Sequence, residues 1–348
     1  MHAFLTKLAQ QWPPAAWRDV SVLVAISGGA DSVALLRGLK AIAQPGDGKL
    51  IAAHFNHRWR GAESDEDARF TGQLCQQLGL PLEMGSPPEF ASVPPGDGLE
   101  AAARAERYAF LAAAADKWGA RHVATAHTAD DQVETVLHRM IRGTGLAGLA
   151  GIPRTRPLTG AATLIRPLLT FHRAELLDYL ASINQPYRTD SSNADIRFTR
   201  NRVRHQLLPE LERDFNPAVR DALLRLARLA GETQHWVEQQ AEQLALSAVR
   251  QTSYGYEVLC TSLQAAPRPL VREFFVRLWV RANWPLQMMG NEKWEQLADF
   301  ALLPFPDQAA DRRLAMFPGG IQVQRCLDIL SLRKDKIHLV LRHASNEG

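Results

Sequence analysis

The reactive side chains of this chain fall in a few short stretches. "SGGADS" (27–32) follows an apolar run and leads at once into a helical pattern. Two glycines at a strand-to-helix junction expose backbone N–H groups at the positive end of a helix, which suits an anion. Asp31 and Ser32 stand beside them, yet a plain turn capped by Ser or Asp stays open on these residues alone. The string is neither GxxxxGK[ST] nor GxGxxG. In "TAHTADDQVETVLH" (125–138), Thr128 and Asp131 have the spacing of a capping box. Glu134 lies four residues after Asp130 and three after Asp131, so a helix face with several carboxylates can form. Such a face repels itself, and Mg²⁺ or an ammonium group would relieve it; a solvated helix start is the plainer alternative.

Two further stretches carry bases and cations. "HFNHRWRG" (54–61) holds His54 and His57, but without Cys partners or an HxxxH helix it is a poor zinc site. Polar contacts to a nucleotide or to nucleic-acid bases suit it better, with Arg58 and Arg60 on phosphate. In "RTDSSNADIRFTRNRVRHQ" (188–206), Arg197, Arg200, Arg202 and Arg204 occur with Phe198 among them and no acid between. A solvated helix face would balance its charges, whereas arginines with an aromatic suit a sugar–phosphate backbone.

The elements that must position these residues repeat one unit between residues 20 and 127. "VSVLVAIS" leads to the helix "DSVALLRGLKAIA", "KLIAAHFNH" to "DEDARFTGQLCQQLGL", and "RHVATAH" to "TADDQVETVLHRMIRG". Strands apolar on both faces that alternate with helices predict a doubly wound, mainly parallel α/β sheet. Ligands of such sheets sit beyond the carboxyl ends of the strands, where "SGGADS" and "HTADD" both fall. A Pro/Gly-rich loop (85–98) precedes an Ala-rich helix from about 99, which Gly119 stops. A Gly/Pro/Arg-rich loop spans 143–160, and "FHRAELLDYLASINQ" reads as a compact helical segment. Beyond Asn216 the pattern becomes amphipathic helix, with late strands at "GGIQVQRCLDILSLR" and "KIHLVLRH". The expectation is an α/β domain over 1–215 and a mainly helical second domain over 216–348, with a short terminal β segment.

Bulk properties bound the rest. The 348 residues are 46% hydrophobic and 22% charged, a soluble globular composition long enough for two domains. Forty Lys+Arg against 37 Asp+Glu leave a net charge of +3, so local clustering has to decide any polyanion binding. Three cysteines lie far apart with no CxxC pair, which argues against a zinc ribbon, an iron–sulfur cluster or a disulfide framework and fits a reducing cytoplasm. No apolar run is long enough to span a bilayer, and the first residues do not read as a signal peptide.

"SGGADS" after a buried strand resembles the SGGxDS pyrophosphate loop of the N-type ATP pyrophosphatases, the PP-loop superfamily, which split ATP to AMP and pyrophosphate. The order "SGGADS", "HFNHRWRG", "EAAARAERYAFL", "TAHTADDQVET", "RGTGLAGLAG", "IRPLL", "DSSNADIRFTRNRVR" is similar to that of the tRNA(Ile)-lysidine synthetases within it, over about residues 20–217. The resemblance implies a two-step ligation on the wobble cytidine of a CAU-anticodon isoleucine tRNA. ATP adenylates O2 of the cytosine, then the ε-amine of free L-lysine attacks C2 and expels AMP, which changes the codon read from AUG to AUA.

The same resemblance implies that Ser27, Gly28, Gly29, Ala30, Asp31 and Ser32 bind ATP, with Asp31 facing Mg²⁺. Asp130, Asp131 and Glu134 become candidates for binding and activating lysine, Asp131 foremost, and His127 for positioning ATP or the cytosine. Arg104, Arg107, Arg142, Arg200 and Arg204 match basic positions for tRNA or the triphosphate, and Arg197 joins them from the arginine block. A tRNA thiolase of the same superfamily would need a reactive Cys, and Cys75 falls instead within a helical pattern. An amidotransferase-type synthetase would not need the arginine block, and a bare RNA-binding module would not need an intact loop and carboxylate helix. A cytoplasmic enzyme without membrane contact is the expectation, and a homodimer is compatible with the sequence.

Overall fold

The computed structural model describes residues 2–58, 61–87, 98–189, 199–303 and 313–334. By its internal contacts the chain divides into two units, Met1–Gly231 and Glu232–Gly348.

The first unit begins with α1 (Ala3–Gln11), which lays Phe4 and Leu8 against the core. Then β1 (Ser21–Ala25), α2 (Ala30–Ile42), β2 (Leu50–Phe55), α3 (Ala62–Leu78), β3 (Leu82–Gly85), α4 (Gly98–Trp118), β4 (Ala120–Ala124) and α5 (Ala129–Ile141) alternate, all but β3 as the sequence predicts. The short α6 (Leu146–Leu149), β5 (Thr155–Pro157), β6 (Thr163–Ile165), α7 (Arg173–Ser182), α8 (Thr199–Arg202) and α9 (Leu208–Asp214) follow, and α10 (Val219–Ala248) contains the division between the units.

The sheet order is β3-β2-β1-β4-β6-β5, with only β5 antiparallel to its neighbour. β1 is apolar on both faces because both are covered. Val22 and Val24 pack with Leu8 of α1, Leu36 of α2 and Leu176 of α7, while Leu23 packs with Leu111 and Ala115 of α4. Gly38 lets α2 approach α1 closely, since a Cβ there would lie 2.7 Å from Leu8 and 2.8 Å from Phe4. The chain runs outward from β1 to β2 and β3, then returns to place β4 on the other side of β1. The strand order therefore reverses between β1 and β4, which is where open α/β sheets bind ligands.

Two strands lie where the periodicity shows none. β3 is a half-exposed edge strand carrying Glu83, so it has no continuous apolar run. β5 occupies the expected loop at 143–160, and Pro157 is tolerated there because β5 is an edge strand.

The second unit has its own core. β7 (Val249–Thr252), β8 (Gly255–Leu259), β9 (Arg313–Phe317), β10 (Ile321–Cys326) and β11 (Ile329–Lys334) form an antiparallel sheet ordered β7-β8-β11-β10-β9. It packs with α11 (Thr261–Gln264), α12 (Arg268–Arg281) and α13 (Asn291–Leu302). Trp279 is fully buried, with Trp284, Trp294 and Phe317 edge-on around it. The strands expected at 319–333 are β10 and β11, and β7, β8 and β9 add to them; "KIHLVLRH" lies outside the described residues.

Candidate active site

Ser27 through Ser32 turn directly from β1 into α2. Gly28 has φ +87°, a left-handed conformation that favours glycine. Its carbonyl accepts the Arg188 N–H at 2.9 Å, and Gly29 bridges to the same residue, so a strand-like contact braces the loop. Inside the turn the Ser32 hydroxyl donates to Gly29 O at 2.9 Å and accepts the Ser27 N–H at 3.1 Å. Among the described residues no side chain caps α2, whose N-terminus therefore keeps its attraction for an anion. Arg188 is held in turn by Asp67 at 2.9 Å and Glu66 at 2.8 Å.

Asp31, in the first turn of α2, is three-quarters buried. Its Oδ2 accepts from the Arg173 guanidinium at 3.1 Å, while its buried Oδ1 has no hydrogen-bond partner among the described residues. Burial pushes its pKa up to about 6, helped by the negative charge of Asp131 and Asp130 and opposed by Arg173 and Arg204. A carboxylate in that condition fits a cation. Among the described residues no three His, Cys, Asp or Glu side chains gather as a protein cage for a metal. This donor set suits Mg²⁺ held by one carboxylate, with phosphate oxygens and water completing the shell, and not a closed zinc site.

Across the switch point, β4 delivers the N-terminus of α5. Thr128 caps it: its hydroxyl oxygen accepts the Asp131 N–H, and Asp131 Oδ2 accepts the Thr128 N–H at 2.8 Å. The capping box legible in the sequence is thus real, yet it uses only one oxygen of Asp131. Oδ1 faces away and accepts from Arg200 at 2.6 Å. Glu134, one turn on and 1% exposed, accepts from Arg200 Nε at 2.9 Å and from Arg204 Nε. A carboxylate that buried needs cationic partners, and Arg200 and Arg204 supply them from one face of a helical run, 199–214, with a π-type turn at Val203–Leu207. Burial would raise the pKa of Asp131, but Arg200, the Thr128 N–H and Arg204 outweigh it and hold the carboxyl below its ordinary value. Asp130 accepts the Arg173 N–H at 2.8 Å and the Arg220 guanidinium at 3.3 Å.

His127 ends the β4 turn, 3.1 Å from the Thr125 hydroxyl through Nδ1. Burial drives its pKa down to about 3 against the pull of Asp131, so the imidazole is neutral. Beside β1, His54 is buried and its Nδ1–H donates to Ile26 O at 2.9 Å, just ahead of the phosphate-type loop. Burial and then Arg107 lower the pKa of His57 to about 4.

Asp31, Asp130, Asp131, Glu134 and His127 thus share the crevice at the carboxyl ends of β1 and β4, linked by Arg173, Arg200 and Arg204. Arg104 and Arg107 group around Tyr108 on α4, near enough to His127 to bear on its charge. Arg142 does not join them, being exposed at the far end of α5 and eleven residues, about 16 Å, beyond Asp131. Arg197 and Arg60 lie outside the described residues. Arg173 and Arg188 escaped the sequence reading. Arg173 had a signal, a cation on the first turn of a helix where the dipole opposes it; Arg188 had only its place at the edge of the arginine block.

Cys75 and Cys260 are not poised as nucleophiles. Burial pushes the Cys75 and Cys260 thiols up to about 11, and Cys75 packs in the core.

Comparison with known proteins agrees with this geometry. The PP-loop domain family matches residues 2–211. The tRNA(Ile)-lysidine synthase of Thermosynechococcus vestitus is 38% identical over 246 residues, 71% of this chain and 68% of that one. That of Rhodopirellula baltica is 36% identical over 335 residues, covering 85% and 83%. Among solved structures, the U34-tRNA thiolase NcsA of Methanococcus maripaludis has a TM-score of 0.54 at 18% identity, over 66% of this chain and 78% of that chain, a likeness of fold. With a phosphate-type loop, a buried carboxylate pair on the helix after β4 and relatives of this identity and coverage, the chain belongs to the tRNA(Ile)-lysidine synthase family of PP-loop enzymes.

Proposed function

We propose that this chain uses ATP to form lysidine on tRNA(Ile), as an ATP-dependent ligase joining L-lysine to C2 of the wobble cytidine at position 34 of the CAU anticodon. The observation that carries this reading is the shared crevice: an anion-binding loop with a metal-hungry carboxylate faces a buried carboxylate pair suited to an ammonium ion. The first unit would do the chemistry, and the second would contribute to holding tRNA.

In the first step the loop N–H groups of residues 28–32 and the start of α2 hold the pyrophosphate end of ATP, while cytosine O2 attacks the α-phosphorus. Pyrophosphate leaves and an O2-adenylated cytidine remains. Asp31 Oδ1 would hold Mg²⁺, which supplies positive charge against the leaving pyrophosphate. Neutral His127 can position the base or the nucleotide by hydrogen bonds without adding charge. The target sits in a single-stranded anticodon loop, so splaying it into the crevice costs little unstacking.

In the second step the lysine ammonium exchanges for a guanidinium at Asp131 and Glu134. An amine attacks only when neutral, so one of Asp130, Asp131 and Glu134 takes its proton as C2 is attacked and AMP departs. Asp131 is the residue we hold essential, since its two oxygens tie the ligand-binding face to the helix cap.

The test is incubation of the full chain with ATP, labelled lysine and a panel of tRNA transcripts. Label is expected in the CAU-anticodon isoleucine transcript alone, with pyrophosphate released in equal amount. Label absent from that transcript while pyrophosphate is released with another acceptor would overturn the reading.

A further inference from the structure

Beyond the crevice, four arginines surround one tyrosine. The guanidinium carbons of Arg156, Arg104 and Arg107 lie 4.6, 5.0 and 5.7 Å from the Tyr108 ring centroid. Arg104 also donates to the Tyr108 hydroxyl at 3.3 Å, and Arg166 hydrogen-bonds the same group. Arg166 follows β6 in the "IRPLL" stretch and is 2% exposed. Its Nη1 donates to Pro153 O at 2.5 Å, whereas its Nε is buried without a partner among the described residues.

Among the described residues Arg104, Arg156 and Arg166 have no carboxylate on them: their bonds go to the Tyr108 hydroxyl and to the carbonyls of Pro157 and Pro153. Arg139 bonds the carbonyls of Gly148 and Gly151 and feels the charge of Arg104. This contrasts with Arg173, Arg188, Arg200, Arg204 and Arg220, each of which sits on an acid. Clustered guanidiniums without acids repel one another, and a buried Arg with an unused N–H is costly. A phosphate group removes both costs, because its oxygens accept several charge-assisted bonds at once.

We propose that Arg104, Arg156 and Arg166, gathered on Tyr108, bind a backbone phosphate of the RNA substrate next to the nucleotide being modified. The proposal rests on the reading of tRNA as substrate and deepens it by assigning a phosphate site apart from the ATP loop. Position argues for a second phosphate. β6 and β5 stand two and three strands from β1, about 10 and 14 Å at ordinary strand spacing. That is beyond the reach of one triphosphate seated on the β1 loop. The charges agree: His127 feels Arg166, Arg104 and Arg107, whereas Asp31 feels Arg173 and Arg204. The Tyr108 ring already carries guanidiniums, so the site suits a phosphate and not a stacked base.

RNA phosphodiester and the polyphosphate of ATP share this chemistry, and binding measurements separate them. Affinities of the full chain for a tRNA(Ile) transcript and, separately, for ATP are measured across a KCl series for the wild type, Arg156→Gln and Arg104→Gln. Both substitutions lie on accessible or half-buried side chains, and an unchanged unfolding midpoint verifies the fold. Each is expected to weaken RNA binding about tenfold near 0.1 M salt and to flatten the log–log salt slope by about 0.7, with ATP affinity unchanged. An unchanged RNA slope in both variants overturns the proposal, as does a loss confined to ATP. No lysine enters the measurement, so a chain that fails to make lysidine yet shows the slope change loses only the functional reading.

Discussion

The N-termini of α2 and α5 face one crevice, and each presents buried carboxylate to it. At α5, Asp131 and Glu134 are fully engaged, by a capping box on one side and by Arg200 and Arg204 on the other. At α2, Asp31 has one arginine and one bare oxygen, and its pKa rises to about 6 while that of Asp131 falls below its ordinary value. The same functional group is therefore prepared in two ways. The α5 pair is neutralised within the protein, whereas Asp31 is left short of positive charge. In the proposed reaction the first would take its cationic ligand by exchange and the second would take a cation by addition.

The hardest blow to this contrast is Glu134→Gln. It leaves Arg200 and Arg204 without their buried anion, so lysine incorporation is expected to fall by at least about a thousandfold and the unfolding free energy by about 2–3 kcal/mol. Denaturant unfolding and label incorporation check both; a variant as stable as the wild type would mean that the buried pair contributes nothing.

Asp31→Asn separates function from stability. Pyrophosphate release is expected to vanish, while the protein without ATP gains about 1 kcal/mol at pH 7.5. The sign follows from the raised pKa. The folded state holds the Asp31 proton more tightly than the unfolded one, so ionisation costs stability as pH climbs from about 4 through about 6. The gap between variant and wild type should open across that window and stay constant above it. Urea midpoints at pH 4, 5, 6 and 7.5 read this directly, and a gap independent of pH would mean that Asp31 is not strained by burial.

The smallest effect belongs to Cys75→Ala. Its thiol is buried and its pKa pushed up to about 11, so ligation should proceed at the wild-type rate with a stability loss of about 1 kcal/mol. A collapse of the rate would bring sulfur chemistry back into the site.

Much of this molecule is legible along the chain. "SGGADS" and the Thr128–Asp131 spacing act within one turn of backbone, so their geometry follows from local rules, and the apolar strands announce a covered parallel sheet. The arginines were legible as a block but not in their partners. Arg200 and Arg204 invite a phosphate when read in sequence, yet Glu134 lies 66 and 70 residues before them and draws them inward. Arg166 stood in a quoted motif without a role, because its burial and its meeting with Tyr108 depend on β6 and α4 packing together.

By itself the sequence determined the alternation of strand and helix, the loop that can hold a pyrophosphate and the carboxylates on one helix face, since each depends on residues a few positions apart. Tertiary structure alone decided which charges are matched. Among the described residues it gave Asp131 and Glu134 two guanidiniums, gave Asp31 only Arg173 from 142 residues away, and left Arg104, Arg156 and Arg166 without an acid. Charge compensation is set by distance and burial in space, and neither is written in the spacing of residues along the chain.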